Sequence, residues 1–221
     1  MALSNLGYAM ALIYETPADN RRPHGTYRFD VYSLKAKRRM TLYGKSTLCL
    51  FIDLEADFEV SALCERALVI PETKPAKVVN FWAMRGGVPT FYLLTKQSEA
   101  WDKEKKKPAY EDFSKWVIEC KGKLVEVLVD DFEKRRIHYD NWSTVLQHLI
   151  SHRGPVSETL LEQCSEFMPM TWQLRDFEKK LANTDSMLVR AAVFTLLTQG
   201  KLQCKTLESL PLTHTTEISR V

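Results

Sequence analysis

KVVNFWAMRGGVPTFYLLTK, residues 77–96, sets two apolar runs on either side of Arg85, Gly86 and Gly87. Glycine tolerates the positive φ that both central residues of a tight hairpin turn require, so 77–84 and VPTFYLLT after it predict an antiparallel pair. Upstream, GTYRFDVYSL at 25–34 alternates like a strand, and 40–43 reads as a second strand after a turn carrying Lys35, Lys37, Arg38 and Arg39. KSTLCLFIDLEADF, 45–58, predicts a helix with Ser46 or Thr47 as its N-cap, and VSALCERALVI, 60–70, a further strand. Downstream, QSEAWDKEKKK at 97–107 reads as a mobile loop or a short solvated helix. PAYEDFSKWVIECKGK then spaces Phe113, Trp116, Val117 and Cys120 at i, i+3, i+4 and i+7, between Pro108 and Gly122. That is helix spacing with matching ends, and LVEVLV at 124–129 is one more strand. The order predicts an α/β or α+β domain with a mixed sheet covered by helices.

The character changes at DDFEKRRIHYDN, residues 130–141, which places a boundary between a domain 1–140 and a domain 141–221. The second part gives helix patterns at 142–152, 156–167, 171–181 and 186–199, separated by Gly154-Pro155, Pro169 and Asn183-Thr184-Asp185. After Gly200, KLQCKTL reads as a strand. Helices followed by glycine and a ribbon have the order of a winged helix-turn-helix, with a small helical bundle as the alternative.

With 45% apolar residues the chain can bury a substantial core, while a net charge of +3 is too small to mark a nucleic-acid binder by itself. Charge distribution says more. Residues 141–221 hold eight Lys/Arg against eight Asp/Glu, so the surplus lies in the first 140 residues. The cluster Lys35, Lys37, Arg38 and Arg39 is either a phosphate-contacting patch or a solvated turn. The five cysteines are widely spaced with no Cys-x-x-Cys pair, which points to buried free thiols in a reducing cytosol. No apolar stretch approaches the roughly 20 residues of a membrane span, and no basic residue precedes the apolar N-terminal part, so the expectation is a cytoplasmic protein without a membrane partner.

Several blocks resemble the TnsA-like endonuclease subunits of heteromeric cut-and-paste transposases. They are TLYGKSTLCLFIDLEADFEVSALCERALVI, with Leu54, Glu55, Val60 and Glu65 matching the family's helix end and following strand; KVVNFWAM-RGG-VPTFYLLTK; and the helical tail with LVRAAVFTLLTQGKLQC. The resemblance implies a restriction-endonuclease-like N-terminal domain that cuts transposon 5′ ends beside an integrase-type transposase subunit of RNase H-like fold. It also implies a winged-helix-like C-terminal domain. Metal-dependent phosphodiester hydrolysis needs two carboxylates to hold Mg²⁺ and a lysine beside the attacking water. Carried onto this chain, the family's helix Glu falls at Thr47 or a neighbour, about two turns before Glu55. The hairpin Asp falls at Asn80, and the strand lysine at Lys96. Two of the three positions thus lack their charge, and no cofactor is expected.

Three readings follow. The chain is a pseudonuclease kept for binding transposon-end DNA and the transposase. Alternatively, the acids are shifted to Asp53, Glu55 or Asp57 and cleavage with Mg²⁺ survives. In the third, it is a winged-helix DNA-binding or interaction protein without nuclease ancestry. On the third C-terminal helix Arg175, Lys179 and Lys180 follow Trp172, either as DNA contacts or as the wet side of a buried stripe. The neutral balance there also suits a protein partner, such as an AAA+ ATPase regulator.

Other constellations carry less. Glu119-Cys120-Lys121 has the Glu-x-Lys spelling with Asp112 upstream, but on a helix Glu119 and Lys121 point about 200° apart. His148 and His152 have metal-sharing spacing, yet Leu149 stands where a zincin-type motif needs Glu. Cys64 has no sequence hint of a paired base, and no glycine-rich phosphate loop of either common spelling occurs.

Overall fold

A computed structural model of the protein describes residues 13–73, 76–96, 108–152, 154, 156–166 and 171–221. The expectations for 97–107, Pro169 and the N-terminal residues before Ile13 lie outside the described residues. The fold is mixed α+β and divides into two compact units: Met1–Glu55 with Glu59–Phe132, and Ala56–Phe58 with Glu133–Val221. The division after Phe132 precedes the expected boundary at 140.

In the first unit β1 (Arg28–Ser33) and β2 (Arg38–Tyr43) form an antiparallel hairpin with Ser33 opposite Arg38. Gly44, at φ 89°, turns the chain into α1 (Lys45–Ala56). Ser46 and Thr47 therefore lie inside the helix instead of capping it, and Thr47 Oγ1 donates back to the Tyr43 carbonyl at 2.8 Å. The main sheet runs β3 (Val60–Glu65), β6 (Phe81–Arg85), β7 (Val88–Thr95), β8 (Lys123–Leu128). Its first three strands are antiparallel neighbours. Strand β8 joins β7 in parallel, after the crossover helix α2 (Pro108–Glu119).

Gly86 and Gly87 take φ 55° and 77°, as a two-residue turn between right-twisted strands requires. The inner strand β6 is buried on both faces: Trp82, with Phe91 of β7, packs toward Phe113, Trp116 and Val117 of α2, while Phe81 meets Phe51 of α1 at 6.5 Å.

Two expected strands are interrupted. The run at 60–70 breaks at Arg66, which has φ 47°, and the run at 77–84 breaks at Asn80. The leftover pieces, β4 (Val69–Ile70) and β5 (Lys77–Val78), pair with each other. Helix α2 also ends earlier than its apolar spacing implied, because Lys121 takes φ 55° and the Gly122 N–H returns to the Val117 carbonyl at 2.8 Å.

The short α3 (Asp131–Lys134) lies at the division between the units. The second unit contains α4 (Arg136–Ser151), α5 (Glu158–Glu166), β9 (Thr171–Gln173), α6 (Leu174–Lys180), α7 (Ser186–Thr198), β10 (Leu202–Gln203) and β11 (Glu217–Arg220). The expected helix over 171–181 thus begins as a strand, because β9 pairs with β11, which also pairs with β10. Asp176 then accepts the Gln173 N–H at 3.0 Å and starts α6, and Asp185 caps α7 by accepting the Met187 N–H at 2.8 Å. Helix α7 buries Val189, Ala191, Ala192, Val193, Phe194, Leu196 and Leu197. Beyond it Gly200, at φ 67°, lies under the Phe58 ring, where a Cβ would come within 2.7 Å of Cγ. The long connection between β10 and β11 is held by buried Asn141. Its Nδ2 donates to the carbonyls of Leu207 (2.8 Å) and Leu210 (2.7 Å), and its Oδ1 accepts from the Leu212 N–H (2.8 Å). Among the described residues no helix is long and apolar enough to cross a membrane.

Candidate functional site

Asn80 sits at the foot of the hairpin, between β5 and β6. Its backbone N–H donates to the Tyr92 carbonyl at 3.0 Å, and its side-chain Oδ1 accepts the Leu94 N–H at 2.8 Å. The amide thus substitutes for a missing ladder bond, and its remaining polar atom is the Nδ2 donor. Lys96 is exposed one residue beyond the end of β7, so Asn80 and Lys96 flank the paired strands instead of lying within them. Thr47 is 8% exposed and its hydroxyl is bound to the Tyr43 carbonyl at the end of β2. None of these groups supplies anionic oxygen, so the residues present do not fit a Mg²⁺ held through two carboxylates. Among the described residues no group of three or more His, Cys, Asp or Glu side chains is placed to hold a metal.

The alternative acids are placed differently. Glu55, 2% exposed, receives hydrogen bonds from the Ser33 hydroxyl and, at 3.2 Å, from the Leu34 N–H. Burial pushes its carboxyl above the usual range despite those donors. The side chain holds down the β1–β2 turn. Asp53 is half-buried on α1.

The basic turn is divided by the fold. Arg38 makes a two-pronged pair with Glu65 of β3, Nη1 to Oε1 at 2.8 Å and Nη2 to Oε2 at 2.5 Å, and Glu65 is 3% exposed. Lys35 Nζ donates to the Leu54 carbonyl at 2.8 Å. Lys37 occupies the turn at φ 54°, and Arg39 is exposed on β2. Two of the four cations, Lys35 and Arg38, are thus bonded within the first unit, while Lys37 and Arg39 are exposed.

A different set of cations does converge. A cleft of 530 Å³ in the first unit is lined by Arg21, Arg22, Arg66 and Lys77, with Asp19 as its carboxylate and Asn80 and Leu94 on its wall. Asp19 organises it: its Oδ1 accepts from the Arg21 backbone N–H at 2.9 Å and Nε at 3.0 Å, and its Oδ2 takes Arg66 Nη2 at 2.6 Å. The Arg21 backbone bond and the neighbouring guanidiniums pull Asp19 down to about 2. Arg66 is fixed from several directions. Its N–H donates to the Asn80 carbonyl at 2.9 Å, its carbonyl accepts from Ala18 at 2.8 Å, and its Nε donates to the Asp19 carbonyl at 2.6 Å. A left-handed φ at a non-glycine residue costs on the order of 1 kcal/mol and survives only where its surroundings hold it, as they do here. No sequence motif marks this cleft, because its side chains come from 19–23, 66, 76–80 and 94.

The remaining candidates resolve individually. Arg175 and Lys179, one turn apart on α6, and Lys180 beside them are exposed, whereas Leu174 and Phe177 are buried and Trp172 lies on β9. The His148 and His152 rings stack at 4.3 Å, and each directs one nitrogen to a backbone carbonyl, that of Met187 (2.8 Å) and that of His148 (2.9 Å). Burial holds His148 below the ordinary histidine range. Asp112 pairs with Lys115 at 3.6 Å, and Lys121 lies in the turn after α2, so the Glu-x-Lys spelling assembles no site. All five cysteines are free thiols, but Cys120 and Cys204 are only half-buried. Burial raises the Cys64 thiol to about 11, the wrong direction for a nucleophile.

No protein-family model matches the chain, and no curated protein matches its sequence.

Proposed function

We propose that the protein is a TnsA-like, non-cleaving subunit of a DNA-transposition machinery, which binds transposon-end DNA and the partner transposase. The observation that carries the reading is Asn80. In the order α1, β3, β6, β7, α2, β8 it stands at the foot of the hairpin, the position onto which the resemblance carries the family's aspartate, and its oxygen is committed to the Leu94 N–H. That element order supports a restriction-endonuclease-like core. The order α5, β9, α6, α7, β10, β11, with β11 between its neighbours, supports a winged-helix-like second unit.

The shifted-acid reading is weaker, because Glu55 is consumed in anchoring a turn. A winged-helix protein without nuclease ancestry leaves the α1–β8 core without a role. An integrase-type transposase and an AAA+ regulator are the partners this reading implies, and the exposed Arg175–Lys179 face of α6 is available to either DNA or protein.

The test pairs a strand-cleavage assay with a transposition assay on transposon-end duplexes. The purified protein is expected to bind the duplex and leave it intact with Mg²⁺ or Mn²⁺, while deletion of the gene abolishes movement. Metal-dependent nicking that disappears on Asp53→Asn or Glu55→Gln refutes the non-cleaving assignment; transposition unaffected by the deletion refutes the reading altogether.

A further inference from the structure

We infer that the cleft lined by Arg21, Arg22, Arg66 and Lys77 binds a phosphodiester of the DNA backbone. The assignment rests on the reading of the chain as a DNA-binding protein. It is carried by the sign of every group at the cleft.

Four cationic side chains face one carboxylate, and that carboxylate is already spent on two of them. Asp19 therefore acts as a brace that sets Arg21 and Arg66 in position. Guanidinium groups present planar forks of donors that match phosphate oxygens, and a braced guanidinium loses less side-chain freedom when it binds. Arg22 is braced as well, with Nη2 on the Thr26 carbonyl at 2.6 Å and Nε on the same oxygen at 3.1 Å. Lys77 adds a more mobile point charge from β5.

Asn80 settles which sign of ligand suits the wall. With Oδ1 accepting from Leu94, its remaining polar atom is a donor, which serves an anion and repels a cation. An aspartate at 80 would keep the acceptor for Leu94 and leave its second oxygen negative. That negative oxygen would repel a phosphate. Arg66, held at φ 47° with its backbone N–H on the Asn80 carbonyl, couples the guanidinium to that position.

The experiment measures binding of a labelled transposon-end duplex by fluorescence anisotropy across a salt series, with circular dichroism to verify folding. Lys77→Gln and Arg22→Gln are each expected to weaken binding severalfold and to reduce the log–log salt slope by about one. Asn80→Asp keeps the Leu94 bond and is expected to weaken binding severalfold both with and without Mg²⁺. A duplex should raise the melting temperature, whereas inorganic phosphate at equal total phosphate and matched ionic strength should not. Unchanged affinity and slope in the folded Lys77 and Arg22 variants overturn the cleft assignment while leaving DNA binding elsewhere intact. Mg²⁺-dependent gain of binding by Asn80→Asp overturns it too, and so does equal stabilisation by free phosphate, which marks a small-anion site. Failure of the wild type to bind any duplex instead refutes the DNA-binding reading on which the cleft depends.

Discussion

Replacing Arg38 by Met should cost folding stability and leave DNA affinity nearly untouched, although the residue belongs to the most basic stretch of the chain. Glu65 is 3% exposed and both its oxygens are satisfied by the Arg38 guanidinium, at 2.8 and 2.5 Å. Removing one partner of a buried pair strands the other charge away from water and typically costs about 3–5 kcal/mol. Arg38 keeps 27% side-chain exposure, so water can partly reach the vacated space and the lower end, about 3 kcal/mol, applies. For a chain of this size that is a drop in Tm on the order of 10 °C. The double variant Arg38→Met/Glu65→Leu removes both charges and should recover most of the loss, because the pair itself contributes little net stability once its desolvation is counted. Thermal and urea denaturation of the wild type, both single variants and the double variant give the coupling energy directly. If Arg38→Met melts with the wild type, and the duplex-binding salt slope falls by about one, Arg38 is a phosphate ligand and the anchoring argument is wrong.

Glu55→Gln should remove a pH dependence. Because burial raises the Glu55 carboxyl in the folded state, its contribution is fully present below the ordinary glutamate pKa and is lost as pH rises through the raised value, so the stability advantage of wild type over Glu55→Gln should shrink as pH increases from about 4.5. A difference that grows with pH in urea titrations refutes this. Asn141→Ala strands two carbonyls and one N–H in the connection before β11 and should cost about 3 kcal/mol; faster amide exchange over 204–212 is the local readout.

The parts of the fold that were legible in the sequence are those fixed by neighbours in the chain. Gly86-Gly87 announced its turn because the backbone there needs two positive φ values, and Phe113, Trp116 and Val117 announced α2 through helix periodicity. What was not legible depends on distant partners. Thr171, Trp172 and Gln173 fit a helix pattern with Leu174 and Phe177, yet they form a strand because β11, far along the chain, supplies their ladder. The break at Asn80 arises from a side-chain amide that replaces a backbone bond to Leu94, which no local propensity signals. Which side chains meet in space depends on distant partners in the same way. Arg38 and Arg39 are adjacent in sequence, but one is drawn into a pair with Glu65 while the other stays exposed; Arg21, Arg66 and Lys77 are far apart in sequence and meet at one cleft.

The second unit limits how specificity can arise under the proposed function. In a helix-turn-helix reader the second helix of the motif enters the major groove and presents polar side chains to base edges. By order in the chain that helix is α7, and seven of its residues are buried. Its one charged side chain, Arg190, is bound to Glu178 of α6 through Nε at 3.0 Å and Nη2 at 2.5 Å. What it leaves exposed is its start, where Ser186 and Met187 offer a single hydroxyl to base edges. The exposed cations nearby, Arg175 and Lys179, lie on α6, where contacts to phosphate would position the protein on DNA without discriminating sequence. Under the proposed reading, therefore, the cleft at Asn80 and the second unit present mainly phosphate-type contacts, and discrimination between transposon ends and other DNA falls chiefly to the partner transposase or to the deformability of the DNA itself.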